Sequence, residues 1–376
     1  MPYETELIDA VKKNDSKRVE EVLKKGANVN AMDTYQSVFD IAVKNNNPQI
    51  VTLLLTKGQN NVYQSTLEKN LFNTFQDEKK RQIAFLIADK MEDASASSQY
   101  NPSFVWAALE LDWPEVLECV LKKNASCKAK DHFGYDPLHK AISLNRIKCA
   151  KILCKYVEDI NEFSGQHDAA QWAARMGRAE ILEAIIESGA NINLTNGSLV
   201  DDIKVFLWFS TAFLYTPKLS NWNKVIHYAA TSDEPEVIDL LVKKYSDRID
   251  INEPGDDDKT PLIQAIETRS FDTARRLLEY GADPNKTDKI GTALHAAVRI
   301  NEHRILKMLF DYGVDQRIKG PCGKTALEYA KYREETNCEN YDFLIEDLEE
   351  YWQKGASIAK QKPFYRNPNN GRGARE

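Results

Sequence analysis

Six histidines, six cysteines and one run of three aspartates are the residues here whose types could support catalysis or bind a metal. Two of the histidines, His167 and His303, stand in turn or helix-surface positions with no carboxylate or cysteine at a telling distance along the chain. Cys119 and Cys127, Cys149 and Cys154, and Cys322 and Cys338 pair at spacings that make no zinc pattern, and no histidine falls in phase with them. Six cysteines in a chain of 376 residues do not read as a disulfide framework either, which favours a reduced setting. Asp256-Asp257-Asp258 lacks the alternating ligands of a calcium loop and reads as a solvated turn. No phosphate-binding loop, zinc-protease helix, serine elbow or kinase signature is present. The chemistry-bearing residues therefore point away from an enzyme.

The elements that carry these residues recur at a fixed period. Thr260-Pro261-Leu262-Ile263-Gln264-Ala265, Thr292-Ala293-Leu294-His295-Ala296-Ala297 and Thr325-Ala326-Leu327-Glu328-Tyr329-Ala330 place their leucines 32 and 33 positions apart. The first two close with Gly281-Ala282-Asp283-Pro284-Asn285 and Gly313-Val314-Asp315. Two short apolar stripes and a polar return at this period are the signature of stacked helix pairs. The threonines sit where a helix opens and can accept a first-turn amide, and Pro261 and Pro137 take the helix position that tolerates a missing donor. The leucines point inward, and the paired alanines let helices approach.

On these hexads and returns the chain resembles the ankyrin-repeat family. The resemblance implies an all-α solenoid of about ten helix-turn-helix units with capping terminal repeats. The inward positions are Leu7, Phe39, Phe72, Phe104, Leu138, Ala170, Ile226, Leu262, Leu294 and Leu327. In the third unit Leu71, Phe72 and Phe75 supply the first stripe and Ile83, Phe85, Leu86 and Ile87 the second; Leu327, Tyr329, Phe343, Leu344, Leu348 and Trp352 close the tenth. His139, His227 and His295 take the last place of the opening tetrad, where the family uses an imidazole to link the turns of adjacent repeats. The resemblance thus assigns them a structural role.

Ala170 and Ile226 are 56 positions apart, about 23 more than one period. The organisation is therefore residues 1–196 as repeats one to six with the third degenerate (62–100), 197–220 as an apolar helical insertion, 221–355 as repeats seven to ten with a C-terminal cap, and 356–376 as a flexible basic tail. The insertion runs from Ile203 to Tyr215, too short to cross a bilayer. Burial against the sixth and seventh repeats, a second copy or a partner would each cover it. It is either a brace or, through Trp208 and Phe209 beside Trp222, a contact site.

Apolar residues at 42% support a continuous core, and a net charge of −7 speaks against duplex nucleic acid as the main partner. Neither a signal peptide nor an apolar run of about 20 residues is visible, so a cytoplasmic location is expected, with export by another route left open. In ankyrin arrays partners dock on the concave side, which the resemblance carries onto His132, Phe133, Tyr135, Ser143 and Leu144, then Gln166, His167, Arg175 and Met176, then Lys289, Ile290, Arg299, Ile300, Lys324, Lys331 and Tyr332. The expected function is a non-enzymatic, monomeric protein-binding scaffold or adaptor with no cofactor and no metal. The chain also resembles the ankyrin effectors that intracellular bacteria deliver into host cells, which would place it in host cytoplasm. The alternative is an enzyme or modification factor with a cryptic site in the third repeat or the insertion.

Overall fold

Most first helices of the repeats open at a side chain that takes up an exposed amide. Asp136 accepts from His139 N, Asp168 from Gln171 N, Thr260 from Ile263 N and Thr325 from Glu328 N. Ser37 and Asp40 form a reciprocal box, each side chain bonding the other's backbone N–H. Pro137 and Pro261 stand at the first helical turn, where no donor is needed. In seven of the ten pairs the chain turns between the two helices through one left-handed residue: Asn14, Asn46, Asp112, Asn145, Gly177, Arg269 or Asn301. Asparagine, aspartate and glycine tolerate that conformation best, which accounts for their choice at all but Arg269.

The computed structural model describes residues 2–57, 61–95, 103–195, 223–289, 291–320, 322–337 and 340–358. Among them the fold is all-α apart from a two-strand hairpin, Met32–Asp33 with Gln36–Ser37, and short 3-10 turns. The described residues form two compact units, Met1–Glu158 and Asp159–Glu376. In the first, the pairs are Pro2–Lys12 with Ser16–Lys24, Val38–Lys44 with Pro48–Lys57, Gln64–Thr74 with Arg81–Lys90, Phe104–Glu110 with Pro114–Lys122, and Pro137–Ser143 with Ile147–Leu153. In the second they are Ala169–Arg175 with Ala179–Glu187, Val225–Thr231 with Pro235–Lys244, Pro261–Glu267 with Phe271–Glu279, Ala293–Arg299 with Arg304–Asp311, and Ala326–Asn337 with Asp342–Ile358.

Leu7, Phe39, Phe104, Leu138, Ala170, Ile226, Leu262 and Leu294 are all buried, as are Ala42, Ala108, Ala141, Ala174, Ala230 and Ala297. Small residues at the second set of positions bring neighbouring helices close. Two inward positions are corrected. In the third repeat Leu71 is fully buried and Phe72 only half-buried, because its first helix has 11 residues where most have seven and presents a different face. Leu327 is half-buried as well. Phe85, Phe343 and Trp352, expected in the apolar stripes, are exposed, whereas Leu344 and Leu348 are buried as expected and are joined by Tyr341 in closing the last pair. The end of a stack has one face that meets no further repeat.

The insertion over 197–220 and almost all of the basic tail lie outside the described residues, as do Trp208, Phe209, Trp222 and Ile290. No helix among the described residues is long and apolar enough to cross a membrane.

Candidate functional site

The two histidines of the second unit's tetrads are hydrogen-bonded in the same way. His227 Nδ1 accepts from Lys224 N at 3.1 Å and Nε2–H donates to Glu253 O at 2.9 Å. His295 Nδ1 accepts from Thr292 N at 3.2 Å and Nε2–H donates to Lys324 O at 3.0 Å. Both rings are thus neutral in one fixed tautomer, joining a helix start to the turn of the next repeat. Burial lowers the pKa of each. At these two helix starts the histidine, rather than the residue before the helix, supplies the cap acceptor. Gly255 makes the His227 link possible, since a Cβ there would stand 2.7 Å from the ring's Cδ2 and 2.3 Å from Asn223 Oδ1. His139 is bonded differently: its Nδ1–H faces Asp136 of its own repeat, 3.0 Å from both carboxylate oxygens.

The remaining reactive side chains are held in structural roles. Burial, with Asp112 beside it, pushes the Cys149 thiol up to about 12, far from a usable nucleophile. Asp256–Asp258 is a 3-10 turn, and among the described residues no group of three His, Cys, Asp or Glu could hold a metal ion. His303, read as lacking an acidic neighbour, lies 3.5 Å from Asp347 on the last helix.

In the second unit a polar cleft of about 380 Å³ opens along the first helices, lined by Arg175, Asn223, Tyr228, Thr231, Gln264 and Thr268. Arg175 Nη1 donates to His167 Nε2 at 3.0 Å, which fixes the guanidinium at the cleft edge. His167 does not face solvent as its turn position suggested; its ring is buried against Trp172 and Tyr228. Asn223 holds the far wall, accepting from Asp256 N. Gln264 Oε1 is buried and makes no hydrogen bond among the described residues.

A family description, "Ankyrin repeats (3 copies)", matches residues 104–196 and 203–288. Over these residues the chain is built of ankyrin repeats. In its repeats His227 and His295 tie neighbouring turns together. The chain is 23% identical over 294 residues to the human transient receptor potential cation channel subfamily A member 1, covering 71% of this chain and 26% of the channel. It is 30% identical over 105 residues to mouse ankyrin repeat and SOCS box protein 11, covering 28% of this chain and 32% of that protein. Human ASB11's ankyrin repeat domain superposes with a TM-score of 0.48 at 21% identity, covering 60% of this chain and 90% of that domain. The chain thus spans less than a third of the length of these two curated relatives.

The other candidate residues of this ankyrin chain fall into separate places. His132 and Phe133 are exposed at one turn tip with their rings 3.9 Å apart; Tyr135 stacks near His139. Ser143 is half-buried with its hydroxyl on His139 O, while Leu144 and Gln166 are exposed. Met176 and Ile300 are half-buried. Arg299 is half-buried, ion-paired with Glu267 and 3.7 Å from Asp288. Lys289 pairs with Asp257 at 2.9 Å, and the Lys324 ammonium lies 5.1 Å from the Tyr332 ring centre. Lys331 bonds Glu349 on the last helix, so it faces its own pair.

Tyr228, Thr231, Gln264 and Thr268 were missed, although the sequence holds a signal for them. Ser143 and Arg175 lie five residues after the inward position of their repeats, and Leu144 and Met176 six after. The same offsets in the seventh and eighth repeats give Thr231 and Thr268. The position two after the inward residue, three and four residues earlier on the same helix face, gives Tyr228 and Gln264.

Proposed function

We propose that this chain is a non-enzymatic scaffold whose second unit docks a protein partner along the first-helix row from Arg175 to Thr268. The supporting observation is the cleft itself. It presents a positioned guanidinium, two threonine hydroxyls and the amide of Gln264 along three successive repeats, over a floor formed by the buried Tyr228. Arginine anchors protein interfaces well because it combines a large contact area with directional hydrogen bonding. A recess lined by amides and hydroxyls suits a polypeptide's backbone and side chains better than an apolar small molecule. The reading takes a cytoplasmic monomer as the working form. Delivery into a host cell is a narrower proposal that rests on family resemblance alone, and a translocation reporter fused to the chain tests it.

The docking proposal is tested with Arg175→Glu and Thr268→Trp in the full chain, using Lys307→Glu on a second helix as control. Partner capture should fall in the first two while melting temperature holds, and the control should behave as the parent. Equal capture by all three would refute the placement.

A further inference from the structure

A second recess lies in the first unit, away from every residue assigned above. It measures about 280 Å³ and is lined by Gln36, Asp40, Val43, Lys44, Lys69, Asn70, Asn73 and Lys80. Three lysines and one carboxylate therefore meet in one groove between the second and third repeats. The carboxylate is already committed. Asp40 Oδ2 accepts from Ser37 N at 2.9 Å and Lys69 Nζ at 3.3 Å, and Oδ1 accepts from Asn70 Nδ2 at 2.7 Å. Burial works against its charge, yet the bonds from Ser37 and Asn70 and the nearby Lys69 keep its pKa below the usual carboxylate range. Lys80 lies 3.8 Å from Asp77, beyond hydrogen-bond distance, and Lys44 makes no ion pair among the described residues. Each ammonium carries three donors, so the groove keeps several that its own acceptors do not fill.

Exposed aromatic side chains stand on the elements that carry the groove residues. Tyr35, next in the chain to Gln36, is 88% exposed at the hairpin tip, and Tyr63, at the start of the helix that carries Lys69, Asn70 and Asn73, is 63% exposed. Met32 on the same hairpin is also bare. Lysines in the groove, with exposed tyrosines on the hairpin and the helix that supply its lining, are complementary to a segment that alternates acidic and apolar side chains. They fit nucleic acid less well. A phosphate backbone needs a track of unpaired cations, whereas nearby Lys12, Lys24 and Lys57 are paired with Asp33 and Glu20.

We propose that the groove holding Lys44, Lys69 and Lys80, together with the exposed tyrosines on its flanking elements, docks an acidic, apolar-flanked segment of a partner protein. It rests on the same scaffold function but on a different unit of the chain from the cleft. The test uses the full chain and a fluorescein-labelled octapeptide of alternating Glu and Leu, read by anisotropy. Controls are its Gln/Leu counterpart, labelled oligo(dT) and phosphatidylserine vesicles. The Glu/Leu peptide should bind best and more weakly as salt rises. Lys44→Gln with Lys69→Gln should weaken it roughly tenfold at an unchanged melting temperature. Lys80 is left in place because its side chain is largely buried beside Asp77. Tyr35→Ala, at an exposed tip, is a second variant that should weaken binding without disturbing the fold.

No binding of the Glu/Leu peptide, equal binding of the Gln/Leu peptide, or stronger binding of oligo(dT) or vesicles would overturn the proposal. So would full affinity in the lysine and tyrosine variants. Arg175→Glu separates the two sites: if it alone abolishes peptide binding, the peptide sits in the second unit and the groove assignment fails while the cleft reading survives. Peptide binding lost only in the lysine variants, with partner capture unaffected by Arg175→Glu, would support the groove and sink the cleft.

Discussion

Replacing His227 by alanine tests whether the tetrad imidazoles hold neighbouring repeats together. The ring is fully buried and satisfies two backbone groups, Lys224 N–H and Glu253 C=O. Its removal orphans both. Each unsatisfied buried group costs about 1–3 kcal/mol, and the emptied space lies against Gly255, whose backbone is already in close approach. A loss of about 3–5 kcal/mol is expected in urea unfolding of the full chain followed by tryptophan fluorescence. His227→Gln should recover part of it, since an amide can restore one of the two bonds. The imidazole's pKa is lowered on folding by burial, so the unfolded chain binds the proton first as pH falls. The stability from the neutral ring is therefore complete above the unfolded histidine pKa of about 6.5 and is lost as pH drops from there towards the lower folded value. His295 is shifted in the same direction for the same cause. The parent should lose stability across that window, and His227→Gln/His295→Gln should show a flatter profile. A His227→Ala variant within about 0.5 kcal/mol of the parent, with an unchanged pH profile, would refute the structural role.

Gly255→Ala should destabilise the second unit by about 1–3 kcal/mol, because the added Cβ displaces the His227 ring; thermal unfolding reads it. Leu262→Ala should cost about 2–5 kcal/mol and Leu327→Ala distinctly less, since the first is buried and the second only half-buried; denaturant midpoints compare them. Iodoacetamide at about pH 8 should label exposed Cys322 in the native chain and leave Cys149 unmodified until unfolding, as expected of a thiol whose pKa burial has raised; peptide mass mapping separates the two.

The helix-pair architecture was legible because the period, the opening caps and the alanine pairs agree with one another. The roles of His227 and His295 followed from their place in the tetrad. Burial in the third repeat was not legible: Leu71 and Phe72 are equally apolar, and helix length decides which of them turns inward. Phe343 and Trp352 look like core residues in the sequence, but their exposure depends on the last pair having one uncovered side. His167 was misplaced because contacts from Trp172 and Tyr228, far apart in sequence, bury a turn residue. The cleft was half legible: the family resemblance carried the concave side onto Arg175, while Thr231 and Gln264 hold related offsets in repeats where no motif marks them. The first-unit groove was invisible because its lysines come from two helices and the turn that follows, with no spacing that marks them as a set.

The central claim, that this ankyrin chain acts by docking protein on the first-helix row of its second unit, is tested most directly by photo-crosslinking in the source cell. A photoreactive phenylalanine is placed in turn at Thr231, Gln264 and, on an outer helix, Lys307. Protein adducts of one discrete mass at Thr231 and Gln264, absent at Lys307, are the result predicted. Adducts at Lys307 alone, or none at either cleft position in a chain that remains folded, would contradict it.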